Sequence, residues 1–342
     1  MVLPTSLRDA RNLLESLDLR QIESAVAQEA RAQLVIVGPV NSGKSTLFNQ
    51  LKGQKLSPVS AVPGTTTDLV EERFGPFWLV DTPGLDEAYG SERARKALAA
   101  LDHADVIVLV LDAAAGVRQS DVKLYQDVRT LGIPVIVALN KIDLIGRDLK
   151  AVQRHAEEQL GTPVVPISAK KGTNIAVQLI PAIIDAHPRM AVTIGRALPR
   201  FRAVAVRRII RESALLAALV GAEPIPVLGI PLLIGVQVRL LLRLAVIYGQ
   251  DMSAARAREL LSAIAGGVAI RYGAQELAKV IPGPGWLIAG LAAASGTTAL
   301  GYAAAAFFDR KLSPQQLRQY YRRIRWRRRR GDMALTEEHD PA

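Results

Sequence analysis

The 342-residue chain contains no cysteine. That excludes a disulfide framework and a thiolate metal site, and it suits a reducing compartment. A secretory leader is not expected either, because MVLPTSLRDARNLLESLDL mixes acids and bases and has no apolar core. No internal repeat stands out. Acids are missing from residues 310–330, where Arg310, Lys311, Arg318, Arg322, Arg323, Arg325 and Arg327 through Arg330 gather. This stretch holds nearly all of the net charge of +11, and it suits an anionic partner, either a phospholipid surface or nucleic acid.

Five short motifs dominate what is present. GPVNSGKS runs from Gly38 to Ser45 and TTTD from Thr65 to Asp68. DTPG runs from Asp81 to Gly84, NKID from Asn140 to Asp143, and SAK from Ser168 to Lys170. Each is a piece of a guanine-nucleotide site, and their order and spacing are those such a site requires. The first lies between an apolar strand and a helical stretch, so its glycines let backbone amides and a helix N-terminus face phosphates. Lys44 is expected to bridge the β- and γ-phosphates. Asn41, Ser42, Gly43, Ser45 and Thr46 complete the phosphate contacts. Ser45 and Asp81 are expected to hold Mg²⁺, and Gly84 to allow an amide contact to the γ-phosphate. Asp143 has the shape to accept from N1–H and the 2-amino group of guanine, which adenine lacks. Asn140 braces that loop, Lys141 lies over the base, Ala169 offers its N–H to guanine O6, and Ser168 and Lys170 flank it.

Around these motifs, residues 33–187 alternate apolar runs with charged helical stretches at 91–103, 119–131, 148–160 and 173–187. The pattern predicts an α/β fold, a mostly parallel sheet with helices on both faces and a hairpin turning at Gly75 and Pro76. Residues 1–32 read as an N-terminal helix, 33–187 as the nucleotide domain and 188–199 as a linker. A C-terminal all-α hydrophobic domain spans 200–330, and a polar end takes 331–342. Two apolar stretches mark the helical half. Residues 214–236 are broken by three prolines. Residues 286–308 make a helix of about 34 Å, enough for a hydrocarbon core of ~30 Å. Gly290, Ser295, Gly296 and Gly301 provide small residues for close helix contacts. Between the two stretches, Arg239 and Arg243 form a polar stripe one turn apart. Two crossings would leave six bases against three acids outside, which the positive-inside rule disfavours. Partial insertion and a compact buried bundle both stand at this level.

The motifs resemble those of translation-factor-class GTPases of the Era/MnmE/EngA-like family, over roughly residues 33–187. That resemblance implies GTP hydrolysis with Mg²⁺. It makes Thr66, within PGTTTD (Pro63 to Asp68), the switch ligand to Mg²⁺. It also implies K⁺ held by Asn41 and by carbonyls near Ser60 to Gly64, the alternative being a plain loop role for Asn41. On that basis Lys44, Thr66 and Gly84 are the catalytic positions. Leu85 stands where Ras-like enzymes place a water-orienting glutamine, so intrinsic turnover is expected to be slow; Asp86, Glu87 and Glu92 are nearby acids. PIPVLGIP, then Gln237, Val238, Arg239, Tyr248, Gly249 and IPGPG resemble the YcjF-like helical domain of bacterial proteins. No GXXG loop of the RNA-binding KH kind accompanies the motifs. The expected activity is a membrane-associated GTP switch, with its nucleotide domain in the cytoplasm at the inner membrane. Expected partners are GTP and GDP, an anionic membrane surface, a protein effector and a second copy through the nucleotide domain. An RNA-binding ribosome-assembly factor and a dynamin-like scaffold are the alternatives.

Overall fold

The computed structural model describes residues 19–53, 71–80, 101, 104–222, 229–257 and 285–310. The chain divides into two compact units, one of residues 28–205 and one of 1–27 with 206–342.

The first unit is built on β-branched and leucine-rich runs that cannot stay in water. They form β1 (Leu34–Val37), β2 (Glu71–Phe74), β3 (Phe77–Val80), β4 (Val106–Asp112), β5 (Val135–Asn140) and β6 (Val164–Pro166). The sheet order is β2-β3-β1-β4-β5-β6, with every pairing parallel except the β2–β3 hairpin. That hairpin turns through Gly75 at φ 55, a left-handed conformation glycine takes without a Cβ penalty. Alternation splits the central strands between two faces. Val35, Val37, Ile107, Leu109, Leu111, Val137 and Leu139 point to the side covered by α3 (Gln119–Arg129) and α4 (Leu149–Leu160). Ile36, Val108, Val110 and Ala138 are buried toward the opposite side. α1 (Leu19–Glu29) falls mostly in the other unit; α2 (Lys44–Lys52) and α5 (Ile180–Ala186) belong to this one, the last entered through one π-turn at Ile175–Leu179.

The expected linker at 188–199 is not one. It holds α6 (Met190–Ala197), whose Met190, Ala191, Val192 and Ile194 are fully buried, and the Thr193 hydroxyl donates to the Glu29 carbonyl at 2.9 Å. Pro188 lies in the turn two residues before Met190, where its missing N–H costs α6 no helix bond.

In the second unit, α7 (Arg202–Gly221), α8 (Gly229–Ile247) and α9 (Gly285–Arg310) associate. Backbone contact is close between α7 and α9. A Cβ on Gly221 would lie 2.7 Å from Ala293 Cβ, one on Gly290 2.8 Å from the Ala218 carbonyl, and one on Gly301 2.6 Å from Ile210 Cγ1. These pairs make α7 and α9 antiparallel. Gln237 donates to the Thr297 hydroxyl at 3.2 Å and Tyr248 stands 6.1 Å from Phe308, so α8 runs parallel to α9. Gly296, expected at a helix contact, faces open space. Arg243 of the expected polar stripe is buried, and its guanidinium donates to Glu212 of α7 at 2.8 Å. Buried guanidinium requires such a partner, which is why the stripe turns inward.

Candidate nucleotide site

Parallel strands deliver their following loops to one edge, and there the motifs meet. The phosphate loop follows β1, Asp112 ends β4, NKID leaves β5 and SAK follows β6. The Asp112↔Asn140 register puts the ends of β4 and β5 side by side.

Glycine opens the phosphate loop for steric reasons. Gly38 lies at φ 150, and a Cβ there would come 2.2 Å from the Val110 carbonyl oxygen. Gly43 lies at φ 94 and starts α2 from a left-handed cap; its Cβ would strike Asn140 Nδ2 at 2.3 Å. Lys44 opens the helix, is buried, and donates from Nζ to the Pro39 carbonyl at 2.9 Å. Its ammonium therefore lies across the loop, at the helix end where unsatisfied amides face an anion. Ser45 and Thr46 are exposed in the first turn of α2. Asn41 is exposed at φ 63, a conformation asparagine visits more readily than most residues.

Asn140 joins the loops. It is buried, donates from Nδ2 to the Ser42 carbonyl at 2.9 Å, and accepts at Oδ1 from the Ala169 amide at 2.8 Å. A buried amide must satisfy both ends, and it does so by tying the phosphate loop to SAK. The Ala169 N–H, expected at guanine O6, serves the brace in this structure. Ser42 takes part through its carbonyl. Ser168 is buried; its hydroxyl donates to Asp143 Oδ1 at 2.6 Å and accepts from the Lys171 amide at 3.2 Å. The Ser168 hydrogen bond holds the Asp143 carboxyl below its ordinary pKa, and its own backbone, Lys171 and Lys170 act the same way against partial desolvation. Lys170 itself is exposed.

Lys141 was expected over the base. It takes a left-handed backbone at φ 66 and its ammonium pairs with Asp112 Oδ2 at 2.6 Å. Asp112 is the site residue that motif reading missed. Its other oxygen accepts from the Ala114 amide at 2.9 Å, which fixes the carboxylate. An acid closing the apolar run VIVLVLD was the available signal, but only the sheet order puts it next to Lys141.

Thr66, Asp81, Gly84, Leu85, Asp86, Glu87, Glu92 and the loop from Ser60 to Gly64 lie outside the described residues, as do 1–18, 311–330 and 331–342. Of the expected Mg²⁺ ligands the described residues contain Ser45, whose exposed hydroxyl is a hard oxygen donor of the kind Mg²⁺ takes. Asp81 follows Val80, the last residue of β3, in the chain.

A family described as 50S ribosome-binding GTPase matches residues 33–141. Among curated relatives, GTPase Era of Halothermothrix orenii is 38% identical over 41% of this chain and 50% of its own length. GTPase Der of Thiobacillus denitrificans is 36% identical over 56% of this chain and 42% of its own. The tRNA modification GTPase MnmE of Moorella thermoacetica is 35% identical over 50% of this chain and 39% of its own. The chain thus spans half or less of the length of these relatives.

Proposed function

Proceeding from what this chain carries, a P-loop GTPase domain of the Era, Der and MnmE kind, we propose that the protein hydrolyses GTP as a switch and that its helical unit works at a membrane. Water attacks the γ-phosphorus of GTP, the bond to the β–γ bridging oxygen breaks, and GDP and phosphate leave. The observation that carries the nucleotide reading is the Asn140 brace, which ties the phosphate loop to SAK while Ser168 aims the Asp143 carboxylate. Lys44 is assigned to the β- and γ-phosphates, Asp143 to the base edge, and Ser45 with Thr66 and Asp81 to Mg²⁺, which when bound neutralises phosphate charge. Asn41 is assigned to K⁺; its exposed amide fits, and phosphate release faster in K⁺ than in Na⁺ at equal ionic strength, a difference lost in Asn41→Ala, is the matching result.

Asp143→Asn tests the base assignment. It should weaken GTP and favour xanthosine triphosphate, whose 2-oxo group accepts from an amide. Equal affinity of the natural protein for ATP and GTP would sink the assignment.

The membrane reading rests on α9, whose Trp286–Asp309 stretch is long and apolar enough to cross a bilayer by length and composition, and on the basic run after it. A second reading, action on the ribosome, is favoured by the description of the matching family. Cell fractionation separates the two. A membrane protein pellets with membranes; a ribosomal factor moves with particles that RNase disperses.

A further inference from the structure

The three associated helices of the second unit share one end. The contacts Gly221 to Ala293, Gly290 to Ala218, and Leu233 with Ala217 and Ala293 all lie there. At this end Leu215 and Leu219 of α7, Leu232 of α8, and Trp286, Ile288 and Leu291 of α9 are each more than half exposed. Side chains of this size are normally covered, and such an apolar concentration marks a surface with an occupant.

Two features identify that occupant. First, exposure takes in a wide arc of α9 on the side away from Ala289, Gly290 and Ala293, which are buried. Trp286, Leu287 and Ile288 are successive, so they point about 100° apart, and all three are exposed. Second, charge is absent to a defined depth. Among the described residues none of 213–222, 229–238 or 285–308 is charged. α9 stays uncharged as far as Asp309, but charges begin at Glu212 on α7 and Arg239 on α8, in each case about 15 Å along the helix from the shared end. That is half of a hydrocarbon core of ~30 Å. Polar side chains of the uncharged stretches turn inward: Gln237 and Thr297 bond each other, and the Thr298 hydroxyl returns to the Ala294 carbonyl at 2.8 Å. A lipid environment demands such internal pairing. Between α7 and α8 the sequence adds a single ionisable group, Glu223.

We propose that the uncharged end of α7, α8 and α9 is a lipid-inserting tip that enters one leaflet and goes no further. This rests on the membrane reading above and adds depth and mode to it: insertion from one side, without a crossing.

The absence of cysteine lets a single thiol be placed in the full chain without other changes. Leu219→Cys and Leu287→Cys, with Arg207→Cys toward the other end of α7 as control, are labelled with an environment-sensitive fluorophore. Each is mixed with phosphatidylcholine–phosphatidylglycerol vesicles carrying quenchers at set acyl depths. A blue shift and acyl-chain quenching are expected at 219 and 287 but not at 207. Leu219→Asp should lower the vesicle-bound fraction about tenfold or more while nucleotide binding is kept. Labelling of Leu219→Cys by an impermeant maleimide trapped inside the vesicles would overturn the one-leaflet depth. A blue shift that grows with protein concentration, without vesicles, would give the end to a second copy and overturn the lipid assignment. Undiminished vesicle binding by Leu219→Asp would overturn the tip alone and leave attachment to the basic run. A natural protein that ignores the vesicles would overturn the membrane reading itself.

Discussion

At the level of single residues, the site works through groups that hold other groups. The Asp112 carboxylate pairs with Lys141 of NKID at 2.6 Å, and that pair decides where the ammonium rests. Both partners are partly exposed, so the pair contributes little to stability; its effect belongs to ligand geometry. Asp112→Asn should therefore raise the dissociation constants for GTP and GDP together, by about tenfold or less, and leave the single-turnover rate of bound GTP unchanged. A fall in that rate with unchanged affinity would refute this role. The pair was invisible in the sequence because 29 residues separate its members and only the β4–β5 register joins them. The meeting of Asp143, Asn140 and Lys44 at one sheet edge was legible because short motifs encode local backbone geometry. The bond from the Ala169 amide to Asn140 was not legible, since it follows from the burial of Asn140. Asp143 also has a defined response to acid. Its lowered pKa means the carboxylate persists through neutral and mildly acidic pH, and base discrimination should fade only as pH falls below the ordinary carboxylate range.

At the level of elements, glycine means different things along one helix. Sequence spacing made Gly290, Gly296 and Gly301 equivalent contact residues of α9. Two of the three meet α7, and Gly296 meets nothing within 4 Å. Spacing gives a face of a helix, but which part of that face a neighbour covers depends on the crossing. A pair of substitutions separates the cases. Gly290→Ala drives a Cβ to 2.8 Å from a backbone oxygen of α7, which cannot swing away like a side-chain end. The helices must part, at a cost of roughly 1–3 kcal/mol. Gly296→Ala meets open space and removes the helix penalty of glycine, a gain of up to about 1 kcal/mol. Amide hydrogen exchange along α7 and α9 in the full chain should show faster opening for the first and equal or slower opening for the second. The same ordering in both variants would contradict the packing described.

At the level of the whole molecule, the division of the chain decides which fragments can stand alone. Composition placed the end of the nucleotide domain at His187, since proline and arginine follow and the motifs are complete by Lys170. The first compact unit instead runs from 28 to 205. The residues beyond His187 belong to its core, because Met190, Val192, Ile194, Leu198 and Phe201 are all buried. Alternation and motif spacing report the sheet well, but they say nothing about a short apolar helix that follows the last motif and packs beside α5. Each of these side chains contributes roughly 1.5–3 kcal/mol when removed from water. Their combined loss is comparable with the entire stability of a typical domain, about 5–15 kcal/mol. A fragment of residues 28–205 should therefore bind GTP and unfold cooperatively. One of residues 28–187 keeps every described motif yet should aggregate, or melt at least about 10 °C lower. Thr193→Val in the longer fragment should have a much smaller effect, because it removes one hydrogen bond to the Glu29 carbonyl, worth about 1 kcal/mol. Equal thermal stability of the two fragments would return the boundary to His187 and make α6 a passenger of the linker.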